Sequence, residues 1–312
     1  MADMMHRKDS GLPGDGEGFA ERRRREVRRE GRPANPVEWS RRAILSVVDE
    51  VIPEQRDSLT LLGGHAVLLR TDHVSHPGLS VPTTDGDFAV TPISLADKPP
   101  IEQAFLDAGF EHRDPSRPGL WGRGKHLLGD RTDWYEKVDL LVPTALSGNR
   151  RRNQRSAQAM KNSPHGKQSA GVAEGIELAA VDRSSMLIRD LADPGRSTRA
   201  HVAGVPSLVM AKAYKIGERL EGNPARLRAK DFADLYLLFK AVPSAGIAAV
   251  WARHVDSETL GPSIRKGIGH LHATITNPVA EELWSEAVGQ IVGHDEVRAL
   301  LDAWTHRLSS LL

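Results

Sequence analysis

The chain has 312 residues, 39% apolar and 27% charged, with a net charge of +1 and no cysteine. That length holds one large domain or two ordinary ones. The missing cysteine excludes disulfides, thiolate zinc sites and cysteine nucleophiles, and it favours a reducing, cytoplasmic setting. No stretch approaches the roughly 20 apolar residues of a membrane span, and the opening "MADMMHRKDSGLPGDGEGF" lacks the apolar segment of a secretory signal.

Residues 1–35 are rich in Gly, Arg and Pro without apolar periodicity, which predicts a disordered basic tail. Its run "ERRRREVRREGR" is either solvated charge or a phosphate contact. From Pro36 a helix is predicted, with Trp39, Ala43, Val47 and Val51 on one stripe. "SLTLLGGHAVLLR" (58–70) reads as strand, tight turn at Gly63-Gly64, then helix. A strand follows in "TTDGDFAV" (83–90), then a helix over 100–110 closed by Gly109. "GLWGRGKHLL" (119–128) and "YEKVDLLVP" (135–143) read as two more strands. A polar loop is expected over 148–170, and "AEGIELAAV" (173–181) reads as a further strand. From Val205 the pattern is helical, with helices over 205–222, 224–242, 244–255, 279–292 and 295–312. Mixed elements followed by helices alone predict an α+β fold: a mixed-sheet domain over 36–200, then an all-α domain over 201–312.

The chemistry gathers at "DGD". On a strand, residues two apart share a face, so Asp85 and Asp87 project together across Gly86. Paired carboxylates repel unless a cation lies between them, and hard divalent ions with oxygen ligands fit such a site. A calcium loop fails, because Ala89 and Ala96 fall where it needs ligands; a plain surface turn stays open. Asp139 is a third acid, set in the otherwise apolar run from Val138 to Val142. An acid in such a strand needs a partner, and a metal shared with the first pair would be one. Gly63-Gly64 at a helix start can present backbone N–H groups to phosphate, or can simply serve turn geometry.

In "SLVMAKAYKIGERL", Lys212, Lys215 and Arg219 share one helix face, with Val209, Ala213, Ile216 and Leu220 on another and Ser207 as the expected N-cap. The basic face is either solvated or turned to a ligand. The next helix carries Phe232, Leu235 and Phe239 as its seam, with Asp231 and Asp234 offset from it. The short connection makes the two helices neighbours, so Lys212 can meet one of these acids. "HVSH" (73–76) and "HLH" (270–272) lack a partner cluster at zinc spacing.

Taken in order, "LLGGHAVLLR", "TTDGDFAV", "KVDLLVP" and "KAYKIGERLEGNPARLRAKDFADLYLL" resemble the nucleotidyltransferase-like toxins of the AbiEii and MenT type, within the polymerase-β-like nucleotidyltransferase superfamily. The resemblance spans roughly residues 58–240 and rests on Gly63-Gly64, Asp85 and Asp87, Lys212, and Lys230-Asp231 with Asp234; Asp139 stands where a third carboxylate is expected. It implies a nucleotidyltransferase-type sheet domain and transfer of a nucleotidyl group from an NTP, assisted by Mg²⁺ or Mn²⁺. It implies Asp85, Asp87 and Asp139 as metal ligands, and these with Lys212, Asp231 and Asp234 as catalytic residues. Nucleotide binding falls to Gly63, Gly64, His65, Thr84, Lys212, Lys215 and Arg219. The implied acceptor is an RNA such as the tRNA 3′ end, met by Arg150, Arg151, Arg152 and Arg155, and a cognate antitoxin is the implied protein partner. Two alternatives stay open: the same transfer to a small, aminoglycoside-like molecule or a protein hydroxyl, and a catalytically silent nucleic-acid-binding or antitoxin-like protein.

Overall fold

The structure, a computed structural model, describes residues 32–310 apart from 75, 80–81, 130 and 148–163. Most of the expected basic tail, and Arg150, Arg151, Arg152 and Arg155, lie outside the described residues.

The fold is α+β, built on a mixed eight-stranded sheet. Helix α1 (Pro36–Ser46) starts where predicted: the Asn35 side chain accepts from the N–H groups of Val37 and Glu38, and Pro36 occupies the first turn. Ala43, Ile44 and Leu45 are fully buried, whereas Trp39 lies at the margin, its ring centroid 5.4 Å from that of Tyr135. Strand β1 (Leu59–Leu62) runs straight into α2 (Gly63–Thr71), and β2 (Gly86–Val90) returns antiparallel to β1. Helix α3 (Ile101–Asp107) is followed by Gly109 at φ +79°, the left-handed residue that closes it. Then come β3 (Glu111–His112) and the long hairpin of β4 (Leu120–Leu128) and β5 (Arg131–Pro143). Strand β5 pairs parallel with β2, and β6 (Gly171–Ala173) pairs parallel with its C-terminal end.

Several elements depart from sequence expectation. "AEGIELAAV" is not a strand: after β6 the chain turns at Gly175, φ +82°, and winds into a 3₁₀ turn over Glu177–Ala180. A side chain at 175 would lie 2.3 Å from the Tyr214 ring, so the turn is shaped by close packing. The hairpin of β7 (Arg183–Arg189) and β8 (Ser197–Ala203) is not predicted by the sequence pattern. It completes the order β3-β4-β5-β2-β1-β8-β7, with β8 parallel to β1. The sheet therefore continues past residue 200, and the expected boundary there cuts through β8.

Gly204 alone separates β8 from α4 (Val205–Gly222). Ser207 is not the N-cap of this helix; that position is Gly204. Ser207 instead donates its N–H and its hydroxyl to the Asp182 carboxylate, both at 2.9 Å, so an acid from outside satisfies the first turn. Helices α5 (Ala229–Ala241), α6 (Ser244–His254), α7 (Gly261–Thr276), α8 (Pro278–Trp284) and α9 (His294–Ser309) complete the helical part. Of these, α7 has no predicted counterpart. Phe232, Phe239, Trp284 and Trp304 pack ring against ring between the helices, Phe232 edge-on to Trp284. No single described helix is long and apolar enough to cross a membrane.

Candidate functional site

The strand-turn-helix at residues 59–71 requires glycine for two reasons. Gly63 lies at φ +63°, and a Cβ there would sit 1.8 Å from Asp87 Oδ2. A Cβ on Gly64 would meet Thr83 Oγ1 at 2.6 Å and Lys230 Nζ at 3.1 Å. The start of α2 is thus bare backbone lying directly under a carboxylate.

Strand alternation places the acids. Phe88 and Val90 on β2, and Val138 and Leu140 on β5, are fully buried. Asp87 and Asp139 occupy the alternate positions and face the opposite side. They are also register partners across the parallel β2–β5 pair, which sets them side by side. Asp85, just before β2, is the third member: each of the three offers a carboxylate oxygen, all within 4.8 Å of one another. Together these acids can hold a metal ion. Three carboxylates suit a hard, oxygen-seeking divalent cation such as Mg²⁺ or Mn²⁺.

Electrostatics point the same way. Burial, then the charges of Asp85 and Asp139, push the Asp87 carboxyl well above its usual range. Asp139 rises to about 6, driven by burial and by Asp85 and held back by Arg113 and Arg117. Arg113 reaches Asp139 Oδ1 with its guanidinium. It stands in the turn after β3, where Asp114 accepts from the N–H and hydroxyl of Ser116. Nothing in the sequence marks Arg113 out, because an arginine in a polar turn is ordinary.

The facing wall is α4. A cleft of about 1110 Å³ is lined on the sheet side by Gly63, Gly64, Thr84, Asp85, Asp87 and Asp139, and on the helical side by Lys212, Lys215 and Arg219. Lys230 and, at the mouth, Arg117, Arg226 and Arg228 also line it. The basic face of α4 is not simply solvated. Lys212 is buried and donates to Asp231 at 2.9 Å and to Asp234 at 2.5 Å. Lys215 lies 3.0 Å from Asp231, and Arg219 donates to the other oxygen of Asp231 at 2.7 Å. Burial pulls the Lys212 ammonium down, but Asp234 and Asp231 outweigh it and hold it above the ordinary lysine value. Burial likewise pushes Asp231 up, and Lys212 and Lys215 outweigh that, holding it well below the usual carboxylate range.

The expected site residues divide accordingly. Gly63, Gly64, Thr84, Asp85, Asp87, Asp139, Lys212, Lys215 and Arg219 meet at the cleft. Asp231 and Asp234, also expected there, are not among its lining residues; both pair with Lys212, which is. His65 is displaced more completely. Its ring is fully buried, with Nε2 2.8 Å from Ser40 Oγ and Nδ1 accepting from Arg41 Nε at 3.2 Å. The Ser40 hydroxyl lies within reach of the Thr83 carbonyl, so His65 braces the strap that carries Asp85 and touches no ligand space. Burial, with Arg41 and Lys230 nearby, holds this imidazole well below its ordinary value.

The chain matches no protein-family model and no curated protein sequence.

Proposed function

We propose that this chain is a metal-dependent nucleotidyltransferase, acting as the toxin of a toxin–antitoxin or defence system and modifying an RNA acceptor. One observation carries the proposal: a carboxylate triad on adjoining strands faces a buried, acid-aimed lysine across a cleft floored by a glycine turn. The residues fit Mg²⁺ or Mn²⁺, with Asp85, Asp87 and Asp139 as its holders. Bound there, a divalent ion supplies neutralisation of the NTP phosphates and polarisation at the reacting phosphorus.

The chain's own groups do the rest. The N-terminus of α2 and the cations of α4 receive the triphosphate, with Lys215 the most exposed of the three. Lys212 is held in place by two carboxylates, so no ordering is left to be done when the phosphate arrives. An acceptor hydroxyl oxygen then bonds to the α-phosphorus as the bond to the β-phosphate oxygen breaks and pyrophosphate leaves. The hydroxyl proton passes to Asp139 Oδ2, the oxygen not engaged by Arg113. Arg226 and Arg228 at the mouth, with Arg150, Arg151, Arg152 and Arg155, supply positive charge for a polyanionic acceptor.

The test is a labelling reaction with each of the four radiolabelled NTPs, total tRNA and Mg²⁺ or Mn²⁺. Label is expected on RNA with the native chain and absent with Asp85→Ala/Asp87→Ala. Label on small molecules or protein alone would replace the RNA acceptor; no transfer to any acceptor would sink the enzyme. Growth arrest on expression, relieved by the same double substitution, tests the toxin role.

A further inference from the structure

Arg113 differs from the cations that line the cleft. Its backbone N–H is fixed to the Leu120 carbonyl at 2.8 Å, so its Cα cannot wander from the triad. Its side chain makes a single hydrogen bond among the described residues, to Asp139, and its buried Nε has no partner. Lys212 and Arg219, by contrast, are locked into a shared acid network. A guanidinium with one side-chain tether is freed by the breaking of a single contact, when that contact passes to a stronger cation.

We infer that Arg113 is a positioning residue that occupies the third carboxylate in place of a divalent ion, so that arginine and metal compete for Asp139. The inference rests on the metal reading of the triad given above. Without metal, Arg113 offsets the repulsion among three acids and keeps Asp139 facing the cleft. When an ion takes Asp139 Oδ1, the guanidinium is released from the carboxylate and is free to meet a ligand phosphate as a planar, two-pronged donor. The triad is thereby filled in turn by two kinds of cation, and it never stands bare.

Competition has a signature opposite in sign to simple support. Mn²⁺ binding to the full chain, followed by its electron paramagnetic resonance signal without nucleotide, is compared between the native protein and Arg113→Gln. Removing the competitor is expected to tighten Mn²⁺ about tenfold, the size of one charge withdrawn from a neighbouring carboxylate. Unchanged or weaker binding in Arg113→Gln would overturn the inference, since a merely supporting arginine loosens the site when removed. Arg113→Lys, which keeps charge but loses the planar fork, is expected to fall between the two. A second measurement uses the unsubstituted chain and so does not depend on a variant folding. Phenylglyoxal labelling at Arg113, read by mass spectrometry, is expected to speed up several-fold with Mg²⁺; no change, or protection, counts against release. If neither protein binds Mn²⁺ while both remain folded, the metal reading itself fails and this inference with it. Tight native binding that Arg113→Gln leaves unaltered removes only the role of Arg113.

Discussion

On the helical wall of the cleft, three cations share two buried carboxylates; on the sheet wall, three carboxylates meet a single guanidinium. Both walls bury charge, yet only on the first does every one of these charged groups have an opposite partner within 3.0 Å. Lys212, Asp231, Asp234 and Arg219 answer one another at 2.5–2.9 Å and so act as structure that presents a positive face. Asp85, Asp87 and Asp139 repel one another, and Arg113 with the more distant Lys212 and Lys215 relieves that repulsion only in part. Groups that satisfy each other build; groups left in excess wait for a ligand.

Neutralising a carboxylate on the helical wall and one on the sheet wall is therefore expected to move stability in opposite directions. The largest effect belongs to Asp231→Ala, which strips the shared partner from Lys212, Lys215 and Arg219. A loss of about 3–5 kcal/mol in urea unfolding is expected for breaking a buried ion network; a loss under about 1 kcal/mol would show the network to be no more than surface pairing. Next is Gly63→Ala. It forces a side chain into φ +63° and against Asp87, and is expected to remove about 1–3 kcal/mol along with Mn²⁺ binding.

Acid tests the brace behind the sheet wall. The folded His65 titrates well below its ordinary 6.5, so the unfolded chain takes up a proton there first as pH falls. The contribution is fully present above about pH 6.5 and declines beneath it, by up to about 1.4 kcal/mol per pH unit. His65→Gln is expected to flatten that slope between pH 6.5 and 5, measured by urea unfolding at each pH. The smallest change is Asp87→Asn. Relieving repulsion is expected to leave stability unaltered or raise it by up to about 1 kcal/mol, while Mn²⁺ binding disappears. A clear destabilisation would show the sheet wall to be balanced like its counterpart.

Sequence reveals this site where chemistry conflicts with pattern. Asp87 and Asp139 are conspicuous because they interrupt apolar strands, and Gly63 because it breaks one. Asp231 and Asp234 show themselves as acids beside a buried seam, although the sequence does not say whether they face ligand or lysine. Arg113 carries no such conflict and surfaces only through the register that lays β4 beside Asp139. The β7–β8 hairpin is obscured by its position: β7 is an edge strand, exposed at Ser184, Ser185 and Leu187, so neither face shows a clean alternation. Helix α7 is obscured by Gly261, Gly267 and Gly269, which read as breakers. Gly267 in fact lets α7 approach α4, where a Cβ would lie 1.8 Å from Met210 Sδ, and on α4 Gly217 does the same for His270. "AEGIELAAV" fails for the opposite reason, being apolar enough for a strand but turned aside by the Tyr214 ring.

The single residue between β8 and α4 has a mechanical consequence. Strand β8 lies inside the sheet, and Lys212 follows roughly two helical turns after Gly204, with Asp182 pinning the first of them. The two walls are therefore joined through a single residue, Gly204, with no loop between strand and helix at that point. A guest must enter along the groove and fit the gauge it finds. What such a cleft gives up in adaptability it gains in aim, because its charged groups are spaced before any guest arrives.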